Sequence, residues 1–107
     1  MEFEKSKAFN LTESISYSGQ STVSRMIIKK QTGNITLFAF DGGQSLSEHS
    51  APFDAFVQIL EGKGRITINK QNYDLETGQC IVMPANIPHA VQALEKFKMM
   101  LVMIKGD

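Results

Sequence analysis

The side chains best suited to chemistry in this sequence are its two histidines, His49 and His89. An imidazole titrates close to neutral pH and can carry a proton, form hydrogen bonds or bind a transition metal. A tight transition-metal site needs about three or four protein ligands, so two imidazoles alone are too few. Two interpretations remain open: a shared site for a weakly held metal or a ligand's polar group, or neutral rings bonded to each other, water or backbone carbonyls.

Other nucleophilic side chains give weaker indications. Cys80 begins an apolar run with no neighbouring cation to activate its thiol, and it is interpreted as a small buried hydrophobe. Ser45, Ser47 and Ser50 lie close to His49 in the sequence, but neighbours along an extended strand do not form a nucleophile and base pair. The sequence therefore assigns no catalytic residue.

The elements that position these side chains are predicted to be β-strands. Apolar residues alternate with polar ones in short segments, which is the pattern of a strand with one buried face. The segments recur about every eight to twelve residues, which predicts an all-β sandwich or barrel, jelly rolls included. They are TVSRMIIKK (22–30), NITLFAF (34–40), AFVQIL (55–60, before a turn at Gly62 and Gly64), a hairpin around a polar turn at 69–72, QCIVMP (79–84), HAVQAL (89–94) and KMMLVMIK (98–105).

The two ends of the chain have distinct patterns. Residues 8–13 are predicted to form a short helix or an edge strand, within an N-terminal arm of roughly 20 residues. The last strand is apolar on both faces, with Met99, Leu101 and Met103 on one and Met100, Val102 and Ile104 on the other. This indicates that its second face meets another sheet or another subunit; the alternative is an internal strand of a sandwich, covered by a loop.

Composition indicates a single domain, residues 1–107, with a small or neutral partner. Lys plus Arg and Asp plus Glu are both 11, so no net charge favours nucleic acid or an anionic membrane, and no phosphate-binding loop is present. The first residues lack the apolar stretch of a secretory signal, and no apolar run approaches the roughly 18 residues of a membrane span. The single cysteine is typical of a soluble protein of the reducing cytoplasm.

Two segments resemble the two sequence motifs of the cupin superfamily. One reads GQSLSEHSAPFDAFVQILEGKG from Gly43, and the other reads GQCIVMPANIPHAVQA from Gly78. The motif spacing is retained over four intervals: Gly43 to His49, Ala55 to Gly62, Gly78 to Pro84, and Pro84 to His89. The resemblance implies an antiparallel double-stranded β-helix, or jelly-roll barrel, with an interior metal held by three histidines and a glutamate.

Half of that ligand set is replaced in this chain. His49 stands at the first histidine position and His89 at the last, whereas Ala51 and Ala55 stand at the second histidine and the glutamate. His49 and His89 are therefore an incomplete metal site, for which a divalent transition metal is the only cofactor suggested.

Further departures affect the second motif and the supply of other ligands. Asn86 replaces the usual glycine and Ala93 the usual asparagine, which puts the turn and its terminal polar group in question. Substitute ligands near the motifs are Glu48, Asp54, Gln58, Cys80 and Met83. If the family positions His49 and Ala55 point inward, the alternation of a strand points Glu48, Asp54 and Gln58 outward. A bulge at Pro52 would change which face of the strand each residue occupies.

The alanines are expected to leave a mostly apolar cavity into which two imidazoles converge, which is the usual design of a small-ligand site. The predicted ligand-binding residues are His49, His89, Ala51, Ala55, Val57 and Val91. The first hypothesis is a cupin-domain protein that binds a small organic molecule in the barrel, with no metal or a weakly bound one. The second is a metal-dependent enzyme of dioxygenase, isomerase or decarboxylase type with a non-standard coordination shell. The third is a structural or regulatory barrel, since the resemblance also implies a homodimer.

Overall fold

A computed structural model describes residues 3–105, which form seven antiparallel β-strands and one short 3-10 turn at Thr12–Ser14. The strands are β1 (Thr22–Lys30), β2 (Gly33–Phe40), β3 (Ser45–His49), β4 (Asp54–Ile68), β5 (Gln71–Glu76), β6 (Cys80–Met83) and β7 (His89–Ile104). The order across the sheet is β1-β2-β7-β4-β5, with β3 paired to β7 and β6 paired to β4. The all-β prediction is confirmed. No helix among residues 3–105 is long and apolar enough to cross a membrane.

Strands β4 and β7 are long, and each contributes to two halves of the sheet. Residues 97–104 of β7 pair with β2 and with the first part of β4, to which β6 is added. Residues 89–93 of β7 pair with the second part of β4, which also carries β5, while β3 pairs with residues 89–92. Both long strands bend between the two halves of the sheet, so the inner faces of the halves enclose one core, as in a jelly-roll barrel.

The predicted turn at Gly62 and Gly64 is wrong, because both glycines lie inside β4. Gly62 has a φ of +83°, and a Cβ there would collide with the carbonyl oxygen of Lys96. A Cβ on Gly64 would lie 2.6 Å from the Phe97 ring. The glycines thus permit the bulged bend of β4 against β7, where the register shifts twice.

Two other boundaries differ from the sequence-based expectation. HAVQAL and KMMLVMIK are not separate strands but one strand, β7, because the chain stays extended through the bend between them. The polar turn after β4 is confirmed but is shorter than predicted. It consists of Asn69 and Lys70, whose φ angles of 50° and 70° are those of a two-residue hairpin turn.

The apolar side chains form two clusters, one on each side of the sheet. The barrel interior holds Phe40, Ala55, Val57, Ile59, Ile66, Met83, Val91, Ala93, Phe97 and Met99. The outer cluster holds Ile15, Ile27, Leu37 and Ala39, against which the N-terminal arm packs Phe3 and Leu11. The arm therefore covers part of the outer face of the sheet.

Polar contacts hold this arm in place. The Tyr17 hydroxyl donates to Glu61 at 2.6 Å, and the buried Lys98 ammonium donates to the carbonyl of Thr12 at 2.5 Å. Residues 8–13 form neither the predicted strand nor a helix beyond the single 3-10 turn at residues 12–14. The second face of β7 meets this arm's cluster at Met100, whereas Ile104 on the same face is 62% exposed.

Candidate functional site

The two histidine rings meet at one end of the barrel. His49 is paired with His89 across β3 and β7, and their ring centroids are 4.4 Å apart with an interplanar angle of 68°. The ring of His89 is buried, whereas His49 is exposed. An edge-to-face contact of this kind is a favourable arrangement for two aromatic rings. One imidazole is therefore fixed inside the barrel, and the other faces solvent beside it.

A bulge in β3 positions His49. Leu46 pairs with Val91 and packs against the interior core, and the register then shifts before His49 pairs with His89. In a regular strand, residues three apart point to opposite faces, so without the shift His49 would point away from His89. The parity change that was considered at Pro52 thus occurs earlier, between Leu46 and His49.

Backbone carbonyls set which nitrogen of each neutral ring carries the hydrogen. The Nδ1 atom of His49 lies 2.8 Å from the carbonyl oxygen of Ser47, and Nδ1 of His89 lies 3.3 Å from that of Ile87. A carbonyl only accepts hydrogen bonds, so each Nδ1 donates and each neutral ring keeps its lone pair on Nε2. These two carbonyls could not be predicted from the residue types. Each belongs to the residue two before a histidine, but only the local backbone conformation turns it toward the ring.

The environment of His89 favours its neutral form. Burial is the largest cause that lowers its pKa, and the nearby His49 ring lowers it further. The hydrogen bond to Ile87 acts in the opposite direction without reversing the shift. At neutral pH the Nε2 atom of His89 is therefore a hydrogen-bond acceptor or a metal ligand, and not a cation that would attract an anion.

The two alanines at the replaced ligand positions have different surroundings. Ala55 is 6% exposed and belongs to the interior core, where its cross-strand neighbours are Met83 on β6 and Met103 on β7. Ala51 lies before β4, and its carbonyl oxygen accepts a hydrogen bond from the amide of Asn86 at 2.7 Å. Methionine side chains thus flank the position at which the resemblance implies a glutamate.

The remaining predicted ligand residues are packed in the core. Val57 is fully buried and Val91 is 3% exposed. Three concavities on the described surface lie elsewhere, against the N-terminal arm or where β1 and β7 end and β2 begins, and none is lined by the six predicted ligand residues. A ligand would therefore reach the histidine pair from the side of His49, which is exposed to solvent.

The other proposed metal ligands are engaged elsewhere or lie apart. Glu48 forms an ion pair with Lys70 at 2.9 Å, and Asp54 accepts a hydrogen bond from the amide of Ala85 at 2.8 Å. Cys80 is exposed, so its predicted burial is wrong: it heads β6 at the edge of the sheet, and Sγ donates a weak hydrogen bond to the carbonyl of Gly78. Within residues 3–105, no three His, Cys, Asp or Glu side chains converge as a metal site.

The turns of both motifs have the backbone conformation that their spacing suggests. Gly43 and Gly78 have φ angles of 85° and 88°, in the left-handed region that glycine enters at low cost. Asn86, which stands in place of the usual glycine, has a φ of 66°. Asparagine tolerates this region better than most residues, so the turn of the second motif is retained despite the replacement.

Comparison with solved structures shows that this fold is shared along the whole chain. A conserved protein of unknown function from Streptococcus pyogenes is 41% identical, with a TM-score of 0.94 over 100% of this chain and 94% of that one. A cupin 2 conserved barrel domain protein from Leptotrichia buccalis is 39% identical, with a TM-score of 0.88 over 91% of this chain and 47% of that one. Salicylate 1,2-dioxygenase from Pseudoaminobacter salicylatoxidans is similar in fold alone, at 18% identity and a TM-score of 0.73 over 78% of this chain and 25% of that one.

Sequence comparison leads to the same family. No curated protein matches this chain. A family model described as the cupin domain matches residues 36–105, a range that includes both motifs and both histidines. With the retained motif turns and the jelly-roll strand order, these matches show that the chain belongs to the cupin family.

Proposed function

We propose that this protein binds a small organic molecule at the His49 and His89 pair, with no metal or only a weakly held one. The observation that carries the proposal is the arrangement of the two rings. Each Nδ1 is engaged by a backbone carbonyl, and each Nε2 lone pair remains as an acceptor. Two acceptors beside an apolar core suit a ligand with an apolar body and a hydroxyl or N–H donor.

The burial of His89 limits the chemical class of this ligand. Its pKa is lowered, so the ring stays neutral at physiological pH and offers no positive charge to a carboxylate or phosphate. A phenol, an alcohol or an aromatic amine donates a hydrogen bond to the neutral ring and needs no such charge. We therefore expect neutral donors to bind better than anions of the same size.

A metal-dependent enzyme is the second candidate, and the same two lone pairs favour it. Imidazole nitrogens bind zinc, copper, nickel and iron, and water or a bound substrate would have to supply the remaining ligands. Such a site would differ from the glutamate-containing set of the family, because Ala55 lies between two methionines. Metal content and ligand titration separate the two candidates.

The test combines metal analysis with ligand titration on protein purified without a histidine tag. A library of small phenols, alcohols, amines and carboxylates is titrated while imidazole nitrogen resonances are followed by NMR. We expect neutral donors to shift the Nε2 signals of both rings. His49→Ala should weaken binding at least about tenfold, which corresponds to one lost hydrogen bond. Gln31→Ala, an exposed residue in the turn between β1 and β2, is the matched control and should change nothing.

Two outcomes would overturn the proposal. A transition metal present at close to one per chain, and lost in the His49→Ala variant, would establish the metal-dependent alternative. Ligand binding that survives both His49→Ala and His89→Gln would place the binding site elsewhere on the protein.

We also propose that the protein acts in the cytoplasm. Its single cysteine, Cys80, carries an exposed thiol at the head of β6, and such a thiol persists in reduced form in a reducing compartment. Fractionation of the source cells with an antibody to the chain tests this expectation.

A further inference from the structure

A cavity lies between the first residues of the N-terminal arm and the second half of β1, and it contains neither histidine. Its volume is about 310 Å³, and four apolar side chains line it: Phe3 and Phe9 of the arm, and Ile27 and Ile28 of β1. Small-molecule sites in proteins have volumes of roughly 300–1,000 Å³, so this space, the arm cavity, has room for a small ligand.

A bulge in β1 creates the apolar floor of the arm cavity. The register of β1 against β2 shifts between Met26 and Ile28, so Ile27 has no cross-strand partner on β2. Two consecutive side chains of a regular strand point to opposite faces, whereas a bulge redirects one of them. Ile27 and Ile28 therefore both line the same cavity although they are adjacent in the sequence.

Contacts of Phe3 hold the arm side of the cavity in place. Its amide donates to the carbonyl of Ile27 at 3.3 Å, and its ring centroid lies 4.6 Å from that of Phe9 and 4.3 Å from the guanidinium carbon of Arg25. Ser6, between the two phenylalanines, has a φ of 61°, and this left-handed residue lets the arm fold back so that the rings meet. The wall is thus preorganised, which lowers the entropic cost of binding a ligand.

The apolar lining of the arm cavity is accessible to solvent. Phe9 is 49% exposed and Ile28 is 42% exposed. They are two of the five large hydrophobic side chains exposed among residues 3–105, and both border this one cavity. Single exposed apolar side chains are common on proteins, but neighbours around a concavity offer surface that the apolar chain of a ligand can bury. Burial of that surface is the favourable contribution to binding.

The charged residues that line the arm cavity are mostly basic. Three are lysines, Lys5, Lys7 and Lys30, and one is acidic, Glu4. The ammonium of Lys7 lies 3.7 Å from the carboxylate of Glu4, so the charges of that pair largely cancel at a distance. Lys5 on the arm and Lys30 on β1 then leave the rim with an excess of positive charge. An anionic group at the rim is therefore attracted from both sides of the cavity.

We propose that the arm cavity binds a small amphiphilic carboxylate of the medium-chain fatty acid class, with its chain on Ile27 and Ile28 and its carboxylate at Lys5 and Lys30. The apolar floor and the basic rim together select this class, because a cation with the same chain is repelled by the lysines. This site is separate from the histidine pair, so the inference does not depend on the proposed function.

The test uses two probes with the same chain length and opposite charges, octanoate and octylammonium. Each is titrated, below its micelle concentration, into isotope-labelled protein that is followed by NMR. We expect octanoate to shift the Phe9 ring and Ile28 methyl signals until they saturate, while the imidazole signals stay unchanged. Octylammonium should bind at least about tenfold more weakly, and this difference should decrease as salt is added.

Variants at exposed positions test the floor and the rim separately. Ile28→Ser removes apolar surface and should weaken octanoate binding about tenfold. Leu94→Ser is its matched control, because Leu94 is 40% exposed but lies outside the cavity. Lys30→Gln should weaken octanoate binding about two- to fivefold without weakening that of octylammonium. Lys63→Gln, on β4, is the charge control and should change neither. Circular dichroism and melting temperature establish that each variant is folded.

Several results would refute the proposal. One is the absence of a saturating shift of the Phe9 and Ile28 signals at low millimolar octanoate. Equal affinity for octanoate and octylammonium would contradict the role of the lysines, and binding that survives Ile28→Ser would place the ligand elsewhere. Shifts that follow protein concentration without octanoate would show that a second copy fills the cavity. Binding to vesicles of anionic phospholipid without binding of free octanoate would make a membrane surface the ligand.

Discussion

The amide of Asn86 donates a hydrogen bond to the carbonyl of Ala51 at 2.7 Å, and this bond joins the loops of the two cupin motifs. Ala51 stands where the family has its second histidine, and Asn86 where it has a glycine in the second motif. The two replacements are therefore neighbours in space, and backbone atoms provide the contact between them. The loops stay together although two of the four side chains that would share a metal are replaced by alanine.

The left-handed conformation of Asn86 predicts an order of stability among variants. Its φ is 66°, in the left-handed region, where a residue with a Cβ loses about 1–2 kcal/mol of stability. Glycine avoids this cost, and asparagine avoids part of it. Asn86→Gly should therefore leave stability unchanged or raise it, and Asn86→Ala should lower it by about 1 kcal/mol. Asn86→Val should lower it further, because the branched side chain adds steric conflict. Urea unfolding measures the series, and equal stability of Gly and Val variants would contradict it.

The approach of β4 to β7 predicts that Gly64 does not tolerate a side chain. A Cβ at this position would lie 2.6 Å from the buried Phe97 ring, which is itself stacked on Phe40 at 4.8 Å. Gly64→Ala should therefore destabilise the fold by about 1–3 kcal/mol, as overpacking of a core does. Gly42→Ala is the control, because its Cβ would have only ordinary contacts at 3.7 Å.

Thermal or urea unfolding of both glycine variants provides the measurement. Gly64→Ala should cost less stability in a Phe97→Leu background than in the wild-type chain, because the smaller leucine side chain gives the new Cβ room. If Gly64→Ala is as stable as Gly42→Ala, the close approach of the two strands is wrong.

The environment of His89 predicts that stability falls on acidification. Its folded-state pKa lies below the ordinary value of 6.5, so the unfolded chain binds a proton more readily than the native one. Stability from this group is complete above about pH 6.5 and is lost as the pH falls from there through the lowered folded-state pKa. Urea unfolding between about pH 7 and 5 should show this slope, and His89→Gln should reduce it. An NMR titration that gives His89 a pKa above 6.5 would contradict the prediction.

We expect metal affinity to increase when the two replaced ligands are restored. The double variant Ala51→His with Ala55→Glu adds the two family ligands to His49 and His89. Removing a residue that only hydrogen-bonds to a metal ligand lowers metal affinity about 10–100-fold. Two additional direct ligands should therefore raise the affinity for zinc or nickel at least about a hundredfold. Isothermal titration calorimetry provides the measurement. The metal-free variant should be less stable than wild type, because the new carboxyl group is buried between Met83 and Met103.

A matched variant controls for added charge alone. Gln58→Glu introduces the same carboxyl group on β4, but at a position three residues from the inward-facing Ala55 and therefore on the opposite face. It should leave metal affinity at the wild-type level. No gain in the double variant would show that the positions of Ala51 and Ala55 do not converge on the histidine pair.

Local patterns in the sequence were sufficient to predict the fold class and the two motif turns. The alternation of Ile66 and Ile68 with polar residues predicts a strand with one buried face, because side chains of a strand point alternately to its two sides. The spacing of Gly43 and Gly78 from the histidines indicates the motif turns, and the structure has both glycines at positive φ. Such features depend on neighbouring residues, so they can be read from the chain itself.

Features that depend on distant partners could not be predicted in this way. The bulge that sets His49 beside His89 depends on pairing with β7, some 40 residues away, and no residue near His49 signals it. Gly62 and Gly64 resemble a turn in the sequence, but the close approach of Phe97 makes them a bend inside one strand. The exposure of Cys80 likewise follows from its place at the edge of the sheet. The strand pattern and the two imidazoles can be read from the sequence, whereas the packing of β3, β4 and β7 decides how the imidazoles meet, because strand register is fixed by contacts between residues far apart in the chain.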